Sequence, residues 1–98
     1  MSALTKLARG RDCQVRLNGC NGNSETVVAA HYRSVSLGSG MAYKGNDWLS
    51  AWACSACHDL IDGRRYDFSL SHDAIRLAHL EGVVRTLIQL QTAGKVKL

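Results

Sequence analysis

Polar and apolar positions alternate early in the chain. Cys13, Val15 and Leu17 interleave with Gln14, Arg16 and Asn18, the period of two expected of a half-buried strand. Asn18-Gly19 and Asn21-Gly22 then bracket Cys20, and both dipeptides favour tight turns. The pattern therefore predicts a hairpin across which Cys13 faces Cys20. Ahead of it, Leu4 to Gly10 fits either a short helix or an unstructured lead. Thr26 to Tyr32 opens on β-branched residues and closes on an aromatic, which predicts a second strand carrying His31 near its end.

Ser34 to Gly45 loses this periodicity and is rich in serine and glycine (Ser36, Gly38, Ser39, Gly40), so it reads as a loop of functional length. Asp47 or Ser50 begins the next ordered segment, to which Trp48, Leu49 and Trp52 bring bulk. Cys54 to Asp62 contains neither Gly nor Pro and predicts a knuckle running into a short helix stopped by Gly63. The last third predicts a helix from His72 to Ala93, with Ser71 as N-cap, Asp73 in the first turn and Gly94 as terminator. Leu77, Leu80, Val83, Val84, Leu87, Ile88 and Leu90 share one broad side expected to cover a core, with Glu81 and Arg85 an i,i+4 pair on the other. That apolar arc is wider than the roughly 100° a surface helix requires. Part of it either meets a second copy in a homodimer or is covered within a monomer.

At 98 residues the chain is a single domain, 1–98, in which residues 9–65 form one compact part and 71–93 the helix. A chain of this length buries about 60–70% of its unfolded surface. With 46% hydrophobic and 20% charged residues, its composition is that of a folded globular protein. No apolar run approaches the roughly 20 residues of a membrane span, and residues 1–12 hold no apolar export segment. The expected location is the cytoplasm. A net charge of +4 permits a polyanionic partner without demanding one, while Lys6, Arg9, Arg11 and Arg16 form a basic arm or a solvated terminus.

Four cysteines in a chain without an export signal argue against a disulfide framework. They fall as Cys13-x6-Cys20 and Cys54-x2-Cys57, two pairs far enough apart to enclose one small substructure, which is how structural zinc sites are laid out. Thiolates suit the borderline-soft Zn²⁺ ion. Four buried, reduced thiols would explain neither the x2 spacing nor the glycines beside Cys20. His58 and Asp62, four residues apart, share one face of a helix and could hold a divalent cation; Asp62 could equally cap a turn or pair with Arg64 or Arg65. His31 could be a core histidine, and His72 and His79 receive no role.

A strand ending in His, a loop, a Cys-x-x-Cys knuckle and a His on the following helix together resemble the HNH, or His-Me finger, endonucleases. In these a ββα unit is often built around a treble-clef zinc site, and many open a helix with Cys-x-x-Cys-His, which Cys54-Ser-Ala-Cys57-His58 matches. Within that superfamily, Arg9-Gly-Arg-Asp-Cys13, Gly19-Cys20, Gly40-Met41, Lys44, Asp47, Ala51-Trp-Ala-Cys-Ser-Ala-Cys-His-Asp59 and Asp62-Gly63-Arg64 resemble the YbcO-like nucleases carried by prophages.

The resemblance implies a small α+β fold, a ββα-metal unit on a treble-clef zinc knuckle followed by a long C-terminal amphipathic helix. It implies a metal-dependent DNA endonuclease acting in phage or prophage DNA metabolism. His31 is then the general base that takes a proton from the attacking water, a task that imidazoles perform near neutral pH. His58, assisted by Asp62, holds a catalytic Mg²⁺ or another divalent cation, and Asn46 or Asp47 takes the place of the central Asn that orients the base. Arg33, Lys44, Arg64 and Arg65 are implied phosphate contacts. The chain departs from the pattern at Ala30, where most of these enzymes carry an Asp, His or Glu ligand, and at Cys13-x6-Cys20, which replaces a commoner Cys-x-x-Cys. The rival reading is a non-catalytic, zinc-stapled module that binds nucleic acid or protein. A third is a structural zinc domain that dimerises through its long helix. Catalysis requires His31 and His58, whereas a binder tolerates alanine at either.

Overall fold

The computed structural model describes residues 6–32 and 49–94. Strand β1 (Val28–His31) pairs antiparallel with β2 (Ser50–Ala53), with Val28 opposite Ala53 and His31 opposite Ser50. Helix α1 (Ser55–Asp62) follows β2 at once, and α2 (His72–Thr92) closes the chain. A single 3-10 turn, Ser24–Thr26, leads into β1 and is capped by the Asn23 side chain, which accepts the Glu25 N–H. The elements given above for the described residues make an α+β arrangement in the order β-β-α-α. Among the described residues, no helix is long and apolar enough to cross a membrane. The loop read over Ser34 to Gly45 lies outside the described residues, as do Arg33, Lys44, Asn46 and Asp47.

Every residue of β2 is buried, because the strand is covered on several sides by short side chains and backbone. Helix α2 lies against it, and the closest approach is at Gly82. A Cβ there would stand 2.9 Å from Val15 Cγ2 and 3.1 Å from both Ala51 Cβ and the Val15 backbone. Thr86 Oγ1 accepts the Trp52 N–H at 3.0 Å, and the Trp52 carbonyl accepts the Gln14 N–H at 2.6 Å. A two-stranded sheet has two edges to protect, and here a helix side chain and the N-terminal loop occupy groups on β2. Gly82→Ala should gain about 1 kcal/mol of helix propensity yet lose more to overpacking, which typically costs about 1–3 kcal/mol. A thermal melt should show a midpoint lowered by roughly 5–10 °C.

One reading of the pattern is corrected. Residues 13–18 form no strand, because Arg16 takes a left-handed backbone conformation (φ 57°) that breaks extended pairing after the one bond from Gln14 to Trp52. Val15 and Leu17 are nonetheless buried; alternation places them inward through a turn rather than a ladder. Of the segment Leu4 to Gly10, Lys6 is helical and residues 7–10 form a turn, with Ala8 in the core.

Helix α2 begins and ends where its caps require. Ser71 Oγ accepts the Ala74 N–H, and the chain leaves the helix at Ala93 with Gly94 at φ 72°. Its inward face differs from the expected one. His79, Gly82, Val83, Thr86 and Leu90 are buried, whereas Leu77, Leu80, Val84 and Ile88 are exposed. Close approach to β2 requires a glycine and a hydroxyl rather than leucines. Arg85 also faces inward in part, its Nη1 donating to the Gln14 carbonyl at 2.6 Å. The ion pairs among the described residues run instead from His58 and Arg64.

Candidate metal centre and active-site cleft

The sulfur cluster is assembled from two short segments. Cys13 and Cys20 lie on the irregular loop before β1, Cys54 is the N-cap of α1 and Cys57 is in its first turn. The four Sγ atoms lie within 4.8 Å of one another. Cys20 and Cys54 are 3.5 Å apart, far beyond the roughly 2.05 Å of a disulfide. Sulfurs about 2.3 Å from a tetrahedral ion stand about 3.8 Å apart, so the cluster has the dimensions of a four-thiolate metal site. The loops that deliver the sulfurs are tied together as well. Asn21 Nδ2 donates to Ser55 Oγ, and the Ser55 N–H donates to Thr26 Oγ1.

Backbone N–H groups turn toward these sulfurs. The Cys57 N–H reaches Cys54 Sγ at 3.4 Å, and those of Arg16 and Val15 serve Cys13 as that of Gly22 serves Cys20. The neighbouring Cys57 thiol holds the Cys13 pKa down at about 4, although burial opposes it. The same contact, joined by burial, pushes Cys57 up, and burial pushes Cys20 up. Four thiolates so close repel one another unless a cation sits among them. The donor set, the spacing and the inward N–H groups all suit a metal ion such as zinc.

A second constellation lines a cleft of about 460 Å³ between β1, α1 and α2. His31 enters it from the last position of β1, His58 and Asp62 from α1, and Arg76 and His79 from α2. His58 Nε2 lies 3.3 Å from Asp62 Oδ2, as the i,i+4 spacing requires. The alternative pairing is also made: Arg64 Nη2 lies 3.5 Å from Asp62 Oδ2, and Arg64 Nη1 lies 3.7 Å from Asp59. Exposed pairs of this kind contribute about 0–1 kcal/mol and leave Asp62 free to exchange partners. Adjacent ligands at about 2.1 Å from an octahedral ion are about 3.0 Å apart. The His58 and Asp62 donor atoms are close to that spacing.

Arg76 and His79 had no place in the sequence reading. His79 Nε2 lies 2.8 Å from the Ala30 carbonyl; a carbonyl only accepts, so Nε2 carries the hydrogen. Burial first, then the positive charge of Arg76, holds His79 below the ordinary imidazole pKa, against the opposing pull of the Ala30 bond. Neutral His79 thus acts as a strut between α2 and β1, one residue before His31. Tyr32 sets its ring edge-on to His79 at 5.1 Å. The Arg76 guanidinium stacks 4.8 Å above the Tyr32 ring and donates to its hydroxyl at 2.9 Å. Arg76, His79, Val83, Thr86 and Leu90 recur every three or four residues. That stripe of mixed polarity was the available signal.

The family described as "Putative nuclease YbcO" matches residues 2–95. The chain belongs to the YbcO family. A protein described as "Putative nuclease YbcO" from Escherichia coli (strain K12) is 44% identical over 98 residues, covering 99% of each chain. The protein of that description from Enterobacteria phage 82 matches equally, at 44% identity and 99% coverage of both. A solved structure, "Structure of a putative bacteriophage protein from Escherichia coli str. K-12 substr. MG1655", is 41% identical. It superposes with a TM-score of 0.76 over 93% of this chain and 99% of that one. The span that matches the YbcO family contains both the sulfur cluster and the cleft.

Of the remaining site residues, Arg65 lies over Gly19. Its Nη2 is 3.4 Å from where a Gly19 side chain would begin, so the glycine at φ 92° serves both the turn and this approach. Arg64 and Arg65 are both exposed.

Proposed function

We propose that this YbcO-family chain is a metal-dependent DNA endonuclease of the HNH type, a ββα unit on a treble-clef zinc knuckle. The observation that carries the reading is the convergence of His31, His58 and Asp62 on one cleft from β1 and α1. The order β1, β2, α1 supports it, as does the adjacency of Cys57 and His58, the last sulfur and the first cleft ligand. Zinc held by Cys13, Cys20, Cys54 and Cys57 would fix the first turn of α1 and hence the direction of His58. His31 takes a proton from the water that attacks the phosphodiester.

His58 and Asp62 would hold Mg²⁺ or another divalent cation. When bound, that ion supplies positive charge to the pentacovalent transition state and the leaving 3′ oxygen. Arg76 reaches the same cleft and neutralises a phosphate, with Arg64, Arg65, Lys44 and Arg33 as outer contacts; Asn46 or Asp47 orients His31. The reading includes cytoplasmic action on phage or prophage DNA. It also includes a homodimer through the exposed Leu77, Leu80, Val84 and Ile88.

Ala30 favours the alternative of a zinc-stapled binding module. Its methyl is buried and its carbonyl is taken by His79, so β1 brings no acid ahead of His31. An ion in the cleft would then complete its shell with water and phosphate oxygens, as Mg²⁺ commonly does. The test is nicking of supercoiled DNA by zinc-loaded protein with no added divalent ion, with Mg²⁺ and with Mn²⁺. The nuclease reading expects cleavage only with added ion, and binding without cleavage under every ion would favour the module.

A further inference from the structure

Beside the cleft runs a second pocket of about 350 Å³, between the end of α1 and the start of α2. The two share the side chains of Ile61, Asp62, Arg76 and His79, so they are two lobes of one groove. The second lobe has an apolar floor that includes Leu70 and Ile75, and its rim carries Arg65 and Tyr66. Tyr66 is 76% exposed and its neighbour Phe68 is 94% exposed. Their rings meet edge to face at 4.7 Å and form an aromatic platform in water.

This composition selects among occupants. Scattered exposed apolar residues are ordinary, but here two paired aromatics adjoin a pocket whose lining includes Arg65 and Arg76, so flat apolar faces and guanidinium groups share one lobe. Unpaired nucleotides match that combination, because bases stack on aromatic rings while their phosphates seek arginine. A base pair inside a duplex offers no free face. The nearby carboxylates do not oppose the match strongly: Asp67 accepts the Ser69 N–H and hydroxyl at 2.8 and 2.6 Å, and Asp62 faces His58 and Arg64.

We infer that the Tyr66–Phe68 platform and the pocket beside it bind unpaired nucleobases next to the phosphate held in the His31–His58 cleft, making single-stranded DNA the preferred substrate class. This rests on the nuclease reading for its biological sense, but it can be tested without cleavage.

Fluorescence anisotropy without added divalent ion, with the zinc-loaded protein, would compare a single-stranded oligonucleotide with a blunt duplex of the same sequence. Wild-type protein should bind the single strand more tightly. The Tyr66→Ala/Phe68→Ala variant should weaken single-strand binding about ten-fold or more and alter duplex binding less than two-fold, whereas Tyr66→Phe should retain the preference. Both side chains are solvent-exposed, and unchanged zinc content with an unchanged thermal midpoint would show that the variant is folded. Equal loss on both DNAs, or no loss on either, would overturn the inference; the second result would assign the platform to a protein partner. Absence of cleavage in a separate assay with added ion would count against the nuclease and leave this binding result standing.

Discussion

Cys57→Ser is expected to abolish cooperative folding. Cys57 is fully buried in the first turn of α1, and its sulfur belongs to the cluster that joins the loop at residues 13–20 to the junction of β2 and α1. The hydrogen bonds that also cross that joint, from Asn21 to Ser55 and from Gln14 to Trp52, are individually worth about 0.5–1.5 kcal/mol. The sheet has two strands of four residues, the loop forms no strand, and much of the core consists of alanines, valines and the cysteines themselves. Structural zinc contributes roughly 10–16 kcal/mol of apparent binding energy, against a total stability of about 5–15 kcal/mol for an ordinary domain. Removing one thiolate therefore takes away a quantity comparable with the whole.

The measurements are metal analysis and a thermal melt followed by circular dichroism. Wild-type protein should hold one zinc per chain and melt in one transition, and chelation should reproduce the variant's loss of that transition. An unchanged midpoint after exhaustive chelation would show that the cysteines pack as small apolar residues instead.

Much of this was legible because the sequence states local rules plainly. Ser71 and Gly94 bound α2 within two residues, since an N-cap hydroxyl and a positive-φ glycine are local requirements. Cys54 and Gly63 bracket α1 for the same reason. The sulfur cluster could be read from spacing alone, although the sequence suggested a hairpin and the structure reaches the same meeting of Cys13 and Cys20 through the left-handed turn at Arg16. Less legible was anything decided by a partner across the core. Hydrophobicity pointed the leucines of α2 inward, but β2 demanded Gly82 for approach and Thr86 for its N–H, which turned Leu77, Val84 and Ile88 outward. His79 and Arg76 were missed because their roles exist only once α2 lies against β1. No local rule links Arg76 to Tyr32, or His79 to the carbonyl of Ala30.

His31→Ala is expected to lower the nicking rate by about 10²- to 10⁴-fold, the usual contribution of a positioned general base. The substitution suits the purpose because His31 is half-buried at the last position of β1, while Ala30 within the strand and Val27 just before it lie in the core. His79 remains bonded to the Ala30 carbonyl, so the cleft keeps its wall. His58 and Asp62 are untouched on α1, so the ligands proposed for an added ion are kept. Catalysis should therefore fall without loss of zinc, of DNA binding or of thermal stability.

The most direct test of the cleft as a site of phosphodiester hydrolysis is the single-turnover rate of Mg²⁺- or Mn²⁺-dependent nicking by wild-type and His31→Ala proteins matched for zinc content. The account predicts ion-dependent nicking by the wild type and at least a hundred-fold slower reaction by the variant. Equal rates, or no nicking by wild-type protein that binds the DNA, would contradict it.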